Sequence, residues 1–333
     1  MNKKVTISDI AEKTGFSSAT ISRALNHKYL VKAETYNRIL SAMGELGYEL
    51  PKAPAIVSQP VEKRILVVNV SDISNSFYGK IYKGIIASAT NHGWYVMINQ
   101  DPINSSTLEH FLKLLTSCNA IGLIAFESIE RPVLDALMDV LPVVQCCEFD
   151  PNSKAPYIGI DNFAAAVTLV EYLISHNHQR IAILNGPMNL KSERERQRGY
   201  EFALQRAGIP LDPELIIHIP ASDYFIAHTC MARLLQSRRI PDAIFAVSDV
   251  LAFASVVAAK ECGLSVPEDL SVIGFDNISL SEMSIPKITT VNHPCFEIGF
   301  LSGEMIHKQC VDRSDIPKST LLNTELILRG STR

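Results

Sequence analysis

The pattern of hydrophobic and polar residues changes near residue 64 of this chain. Up to about residue 50, apolar residues recur every three or four positions in three short runs, a pattern that predicts three helices. From Arg64 onward, short continuous apolar runs alternate with amphipathic stretches, which predicts buried parallel strands joined by helices. Between them, LPKAPAIVSQPVEKR has three prolines and little periodicity, so residues 51–63 are predicted to be a linker.

The three predicted helices of residues 1–50 have recognisable ends. TISDIAEKTG begins with Thr6 as a possible N-cap and is followed by Gly15, and Ser17 can cap the second helix, SSATISRAL. KAETYNRILSAMGELGY supplies the third. Helical spacing divides the second helix into a packing side of Thr20, Ile21, Ala24 and Leu25 and a small polar side of Ser18, Ala19, Ser22 and Arg23.

Three short helices with a tight turn between the first two are typical of a helix-turn-helix domain. In that interpretation the second helix lies in the major groove of DNA, where Arg23 offers a planar fork to a guanine edge or a phosphate. The alternative is a generic three-helix cap whose Ser and Arg side chains are merely solvated.

The strands of the remaining chain form two series, which predicts two doubly wound parallel-sheet subdomains. The first series is RILVVNV, YVMINQ, AIGLIAF and PVVQCCEF, and the second is RIAILNG, LIIHI, AIFAV and LSVIGFD. The tail adds a helix over about Cys295 to Gln309 and more strand. We therefore expect residues 64–161 and 292–321 in one subdomain and residues 162–291 and 322–333 in the other.

Ligands of such open sheets bind beyond the carboxyl ends of the strands, so two facing sheets predict a binding cleft. Strand ends and the loops after them nominate Asp72, Phe77, Tyr78, Glu148, Phe149, Asp161, Tyr224, Ser248, Asp249, Asp276, Asn277 and one of Arg194, Arg196 and Arg198. Aromatic rings with carboxylates and one Arg suit a small molecule that is rich in hydroxyls or carries a base. Asp161 and Asp249 are equally interpreted as caps of the helices that follow them.

Charge and composition narrow the function class. The net charge is −4, but residues 1–64 hold seven Lys and three Arg against one Asp and five Glu, so a head of +4 precedes a body of −8. The seven cysteines are odd in number and have no CxxC spacing, which favours reduced thiols. No signal peptide, membrane span, GxGxxG or GxxxxGK[ST] motif is present, so we expect a cytoplasmic protein without cofactor, metal or catalytic site.

The head resembles that of the LacI/GalR family of bacterial transcription regulators. The resemblance runs through VTISDIAEKTGFSSATISRALN and VKAETYNRILSAMGELGYELP. It implies base reading by Ser18, Ala19 and Arg23 and phosphate contacts from Thr20 and Ser22, and the same expected DNA face includes Thr6, Ser17 and Asn26. It also implies a hinge helix that inserts Ile56 or Val57 into the minor groove, although Pro54 departs from the family pattern and a flexible tether is the alternative.

The body is similar to the effector-binding core of the same family, so the resemblance covers nearly the whole chain. It rests on IDNFAAA, AVSDVLAFA, VPEDLSVIGFDN, ITTVNHP and ELILRGSTR. It favours Phe77, Tyr78, Arg196, Tyr224, Ser248 and Asp276 as effector contacts. CCEF and the final ELILRGSTR look most like the cytidine-responsive members, which indicates a nucleoside, and Ser248 stands where sugar-binding relatives often have Asn.

These features predict a three-helix helix-turn-helix head on an α/β core that is similar to periplasmic binding proteins. The expected function is a homodimeric repressor of a near-palindromic operator, with a nucleoside or sugar effector bound in the cleft of the core. A stand-alone binding protein for a sugar or nucleoside is the alternative, and the basic head argues against it. An enzyme acting on such molecules is a further alternative, for which no nucleophile and base pair is readable.

Overall fold

The computed structural model describes residues 5–18, 20, 21, 24, 31, 33–46, 48, 64–237 and 239–333. The chain divides into two compact units, a head of Met1–Glu62 and a core of Lys63–Arg333. Within the described ranges, no helix combines the length and the apolar character needed to cross a membrane.

The head begins with helix α1 (Ile7–Thr14), whose ends follow from the sequence. Thr6 and Asp9 cap it reciprocally: the Thr6 N–H donates to Asp9 at 2.6 Å, and the Asp9 N–H donates to the Thr6 hydroxyl. Gly15 ends α1 with φ of 74°, a conformation that glycine adopts without strain. The Ser17 hydroxyl accepts from the Thr20 N–H at 3.2 Å, and the described residues that follow it are helical.

Helix α2 (Ala33–Leu46) is the third of the three helices predicted for the head. A small core holds the elements together, and Ile10, Ile21 and Ile39 are fully buried in it. Smaller contributions come from Ala24, Ala42 and Met43. The packing side predicted for the second helix therefore packs as expected at its two described apolar residues, Ile21 and Ala24.

The core has twelve strands and nine α-helices in its described residues. The strands are β1 (Ile65–Asn69), β2 (Tyr95–Asn99), β3 (Ala120–Ala125), β4 (Val143–Cys146), β5 (Tyr157–Ile160), β6 (Ile181–Asn185), β7 (Ile216–His218), β8 (Ala243–Ala246), β9 (Ser271–Ile273), β10 (Thr290–Asn292), β11 (Thr320–Leu322) and β12 (Glu325–Ile327). The helices are α3 (Tyr78–Asn91), α4 (Leu108–Ser117), α5 (Arg131–Val140), α6 (Asn162–Ser175), α7 (Lys191–Arg206), α8 (Tyr224–Leu235), α9 (Asp249–Glu261), α10 (Ser279–Met283) and α11 (Cys295–Val311).

Two parallel sheets define two lobes of the core. Lobe 1 contains six strands in the order β11-β5-β4-β3-β1-β2, and lobe 2 contains four in the order β7-β6-β8-β9. The antiparallel pair β10 and β12 extends lobe 2, because Asp276 and Asn292 form a bridge between the end of β9 and β10. Each strand predicted from its apolar run is present, and the predicted fold class is confirmed. β5 was not foreseen.

The chain passes between the lobes three times. It leaves lobe 1 after β5, because α6 packs on α7 of lobe 2. It returns after β10, because α11 packs on α3 and β11 pairs with β5. It crosses again to β12, which pairs with β10. The two lobes are therefore connected by three neighbouring segments, an arrangement that permits hinge motion.

The close packing of α3 on α11 depends on two glycines. A Cβ at Gly299 would lie 2.0 Å from the Ile81 carbonyl oxygen, and one at Gly84 would lie 2.1 Å from that of Phe296. Gly299→Ala is therefore expected to lower the free energy of unfolding of the core by about 3 kcal/mol, because the two backbones must separate. Thermal denaturation of the purified chain measures this change.

Gly79→Ala is the matched control for that substitution. Gly79 also lies in α3, but a Cβ there meets nothing within 4 Å. Since alanine is the better helix former, this variant is expected to be as stable as the unchanged chain or slightly more stable. Equal destabilisation by both substitutions would contradict the packing argument.

Candidate functional site

An aromatic wall lines lobe 1 where β1 and β3 end. It consists of Phe77, Tyr78, Tyr82 and Phe126, whose neighbouring ring centroids lie 5.2 to 6.3 Å apart. Phe77 precedes α3 and Tyr78 begins it, so the loop after β1 places both where they were predicted. Burial raises the pKa of Tyr78 and raises that of Tyr82 to about 12, so both hydroxyls stay neutral at pH 7.

His293 connects this wall to lobe 2. It follows β10, is 4% exposed, and its ring centroid lies 4.9 Å from that of Phe77. Its Nδ1 atom is 3.6 Å from Asp276 Oδ1, and neither ring nitrogen has a hydrogen-bond partner among the described residues. Burial acts to lower the pKa of His293, but Asp276 and the Cys147 thiol outweigh burial and raise it. His293 was not among the ligand contacts predicted from the sequence.

Arg196 is the one of the three candidate arginines that points inward. It is 6% exposed in the middle of α7, and its guanidinium lies over the Phe275 ring at 3.8 Å. Nε donates to Asn162 Oδ1 at 2.9 Å, and Nη1 donates to the Val247 carbonyl at 2.5 Å. Nη2 lies 3.7 Å from Asp276 Oδ1. Arg194 and Arg198 are exposed instead.

Asp276 lies in the loop after β9 with a backbone φ of 98°, which is rare outside glycine. Its side chain is buried, and its Oδ1 atom has no hydrogen-bond partner among the described residues. Strained backbone and an unpaired buried oxygen are both unfavourable in a ligand-free protein, and such features gather at functional sites.

Glu193 is a functional candidate that the sequence analysis missed. It lies one helical turn before Arg196 on the same buried face of α7, and its Oε2 atom has no partner among the described residues. Burial raises the pKa of Glu193 to about 7; Arg196 lowers it, while Asp276 and Glu148 raise it further. Its spacing of three from Arg196 was the available signal, but the polar run KSERERQRG reads as a solvated helix face.

These side chains form a cluster with unpaired polar atoms beside an aromatic wall. The unpaired atoms are oxygens of Glu193 and Asp276 and the two ring nitrogens of His293. A ligand that donates hydrogen bonds from hydroxyl or amino groups would satisfy the oxygens, and a flat ring could stack on the aromatic side chains. In the described ranges, no three His, Cys, Asp or Glu side chains are grouped to hold a metal ion.

Glu148 and Phe149 make their contacts with other protein groups. Both Glu148 oxygens accept hydrogen bonds from backbone N–H groups of α7, those of Lys191 and Ser192. Phe149 is stacked on Tyr157 at 4.0 Å, with the Lys191 ammonium 4.0 Å from its centroid on a surface groove of about 540 Å³. The local contacts of both residues are therefore with protein groups.

Three other nominated residues have local structural contacts. Asp161 caps α6 by accepting from the Ala164 N–H at 2.9 Å, and Ser248 caps α9 by accepting from the Leu251 N–H at 3.3 Å. Asp249 is fully buried, accepting from the Thr290 hydroxyl and the Ile278 N–H. The observed contact of Asp161 is the one expected of a helix cap. Asp249 instead connects the loop after β9 to β10 through its two hydrogen bonds.

Asp72 and Tyr224 have contacts within their own surroundings. Asp72 is exposed and accepts two hydrogen bonds from Ser74, at 2.8 and 2.6 Å. Tyr224 begins α8, half-buried against Phe253 and Phe225. No hydrogen bond, ion pair or ring contact of the described residues joins Asp72 or Tyr224 to Arg196 or Asp276.

The predicted DNA contacts fall partly within the described head. Thr6 and Ser17 cap their helices, and Ser17, Ser18 and Thr20 lie at the start of the second helix. The other predicted contacts lie outside the described residues; they are Ala19, Ser22, Arg23, Asn26, Ile56 and Val57.

Comparison with known proteins identifies both units. Residues 6–50 match the family model of bacterial regulatory proteins of the lacI family. Residues 170–332 match the model of a periplasmic binding protein-like domain. The two matches correspond to the predicted head and to much of the core.

Full-length relatives agree with both domain matches. The HTH-type transcriptional repressor CytR of Escherichia coli is 36% identical over 98% of this chain and 96% of its own. The HTH-type transcriptional regulator DegA of Bacillus subtilis is 30% identical over 99% of this chain and 98% of its own. A solved complex of the transcriptional regulator CelR with cellobiose superposes with a TM-score of 0.72 at 26% identity, covering 98% of this chain and 99% of that one. The protein is thus a member of the LacI family of bacterial transcription regulators.

Proposed function

We propose that the pocket between the lobes binds a nucleoside, and that this ligand changes the affinity of a cytoplasmic homodimer for a near-palindromic operator. Family membership makes the chain a DNA-binding regulator whose activity a small molecule modulates. We propose that it acts as a repressor, as its relative CytR is named, and that it has no catalytic activity of its own.

The observation that carries the proposal is the set of unpaired buried atoms on Glu193, Asp276 and His293 beside Phe77 and Tyr78. Carboxylate oxygens accept hydrogen bonds from ribose hydroxyls and from exocyclic amino groups. The aromatic wall offers a face for a nucleobase. A nucleoside therefore uses both features of the pocket, whereas a sugar uses mainly the first.

The same charges argue against a phosphorylated ligand. The carboxylate of Asp276, and that of Glu193 in the fraction of molecules that its raised pKa leaves ionised, would repel a phosphate. The N-terminus of α7 could bind an anion, but the Glu148 carboxylate already accepts hydrogen bonds from its N–H groups. We therefore propose the uncharged nucleoside over the nucleotide.

DNA recognition is proposed for the head. Two copies of its second helix, related by a two-fold axis, would read the two half-sites of a near-palindrome. In this proposal Ser18 and the small Ala19 allow close approach, and Arg23 makes the main direct contact with a base. Thr6, Ser17, Thr20, Ser22 and Asn26 would position the helix on the backbone, and Ile56 or Val57 would enter the minor groove.

A thermal-shift titration of the full chain tests the proposed ligand class. Cytidine, uridine, adenosine, ribose and cellobiose are compared, with cytidine monophosphate as the charged counterpart of cytidine. A nucleoside at a hundred times its Kd is expected to stabilise the core by about 2.7 kcal/mol. Cytidine monophosphate is expected to give a much smaller shift at the same concentration. Shifts with the sugars alone, or equal shifts with nucleoside and nucleotide, would contradict the proposal.

A further inference from the structure

Glu148 makes hydrogen bonds from one lobe to the other. It follows β4 in lobe 1, and its two carboxylate oxygens accept from the N–H groups of Lys191 at 2.8 Å and Ser192 at 3.1 Å. Those two residues begin α7 in lobe 2. Glu148 is 7% exposed, so its carboxylate is largely shielded from water.

Helix α7 has no cap from its own lobe among the described residues. Its N-cap position is Leu190, whose side chain cannot accept a hydrogen bond. The first N–H groups of a helix need acceptors, and the positive end of the helix dipole favours a negative charge there. Glu148 supplies both from the opposite lobe. Separation of the lobes would leave the helix end uncapped.

Two further contacts hold the lobes together. The Lys191 ammonium lies 4.0 Å from the centroid of the Phe149 ring, which is itself stacked on Tyr157 of lobe 1. The Lys80 ammonium of α3 donates to the Asn277 carbonyl of lobe 2 at 3.1 Å. Lys80 and Lys191 are thus bridging groups in their own right, and of the three residues Glu148 is the one that is buried.

We infer that Glu148 is an inter-lobe latch, a positioning residue that stabilises the closed core by capping α7 and does not contact the effector. Closure by this latch fixes the start of α7, which carries Glu193 in its first turn and Arg196 in its second. The latch therefore raises effector affinity by increasing the fraction of molecules in the binding-competent state. This affinity effect rests on the proposed function, whereas closure itself does not.

The inter-lobe distance in the ligand-free full chain tests the latch directly. Ketone-bearing residues at the exposed positions Asp139 on α5 and Gln205 on α7 accept spin labels without involving the native cysteines. Labelled chain is diluted with unlabelled chain so that each pair measures one protomer. Glu148→Ala is expected to add a longer distance to the distribution, and Glu148→Gln to add a smaller population of it. An unchanged distribution in both variants would overturn the latch, since a purely local cap would not move the lobes.

Glu127→Gln is the matched control. Glu127 Oε1 accepts from the Ser71 N–H at 2.6 Å, a carboxylate contact made entirely within lobe 1. This variant is expected to keep the distance distribution of the unchanged chain. A longer distance in Glu127→Gln as well would contradict a specific role for Glu148.

Titration calorimetry with cytidine and uridine tests the coupling to the pocket. Glu148→Gln is expected to lower the affinity for both nucleosides about equally, by several-fold, because the latch acts through closure and not through ligand contact. A change in the ratio of the two affinities would show that Glu148 contacts the ligand and would overturn the inference. If neither nucleoside binds the unchanged chain, the proposed ligand is wrong, and the distance measurement still decides the latch.

Discussion

Asp276→Asn is expected to weaken binding of the effector by about 10- to 100-fold. It should also remove the influence of the effector on operator binding, while operator binding itself is kept. The free Oδ1 atom of Asp276 is a charged acceptor near Arg196 and His293. Hydrogen bonds to a charged group contribute about 1.5 to 3 kcal/mol, which corresponds to that range of affinity. Titration calorimetry with the ligand found by thermal shift measures the loss.

The fold is expected to tolerate Asp276→Asn. Asparagine adopts positive φ at least as readily as aspartate, so the backbone at φ 98° is kept. The charge of Asp276 raises the pKa of Asp249, which burial and that charge bring to about 8, and it also raises the pKa of Glu193. Removing the charge relieves repulsion between Asp276 and these buried groups but also takes away the counter-charge of the buried Arg196, so the melting temperature is expected to change little. Loss of the cooperative melting transition at the temperature of the titration would show that the affinity loss reflects unfolding.

Asp161→Asn is the control for the loss of a carboxylate at the lobe boundary. Asp161 caps α6 and is exposed, and asparagine caps helices as well as aspartate does. Its effector affinity and melting temperature are expected to match those of the unchanged chain. If Asp161→Asn lowered the affinity for the ligand as much as Asp276→Asn does, the loss would be due to charge near the cleft and not to a contact of Asp276.

Ile21→Asp is expected to abolish operator binding and to leave the effector site intact. Ile21 is fully buried at the centre of the head core, next to Ile10 and Ile39. Burial of an unpaired carboxylate costs several kcal/mol, about as much as a domain of this size has in total stability. The head should therefore unfold, and operator affinity should fall at least a thousand-fold in a gel-shift titration.

The core should be unaffected by Ile21→Asp because its hydrophobic clusters share no residue with that of the head. Its melting transition and its nucleoside affinity are expected to be those of the unchanged chain. Leu40→Asp is the matched control, since Leu40 lies on α2 of the same head with 41% of its surface exposed. Equal loss of operator binding with Leu40→Asp would indicate a charge effect and not loss of the head core.

Most of the fold could be predicted because local pattern determines it. The strands of both sheets are short apolar runs with buried neighbours, and β6 and β8 are buried at every residue. The strand β5 was not predicted, although β4 and β8, which are also four residues long, were. Its place in the sheet depends on pairing with β4, from which a loop separates it, and with β11, which is distant in the sequence.

The site was predicted less completely, because the contacts of a polar residue depend on distant parts of the chain. Glu148 follows a strand as a ligand contact would, yet its acceptors are used by N–H groups 43 and 44 residues later. Glu193 belongs to a charged run that looks solvated, and only the packing of α7 buries it. The aromatic pair Phe77 and Tyr78 was easier to place, because a loop gives aromatic side chains few other surfaces to cover.

The central claim is that a small molecule in the inter-lobe pocket controls DNA binding by the head. Fluorescence anisotropy tests it with an operator duplex selected from random DNA by the full chain, titrated with and without a saturating concentration of the ligand that stabilises the core. The ligand is expected to change operator affinity by about 5- to 150-fold in the unchanged chain and to have no such effect in Asp276→Asn. Identical operator affinity with and without a ligand that demonstrably saturates the core would contradict it.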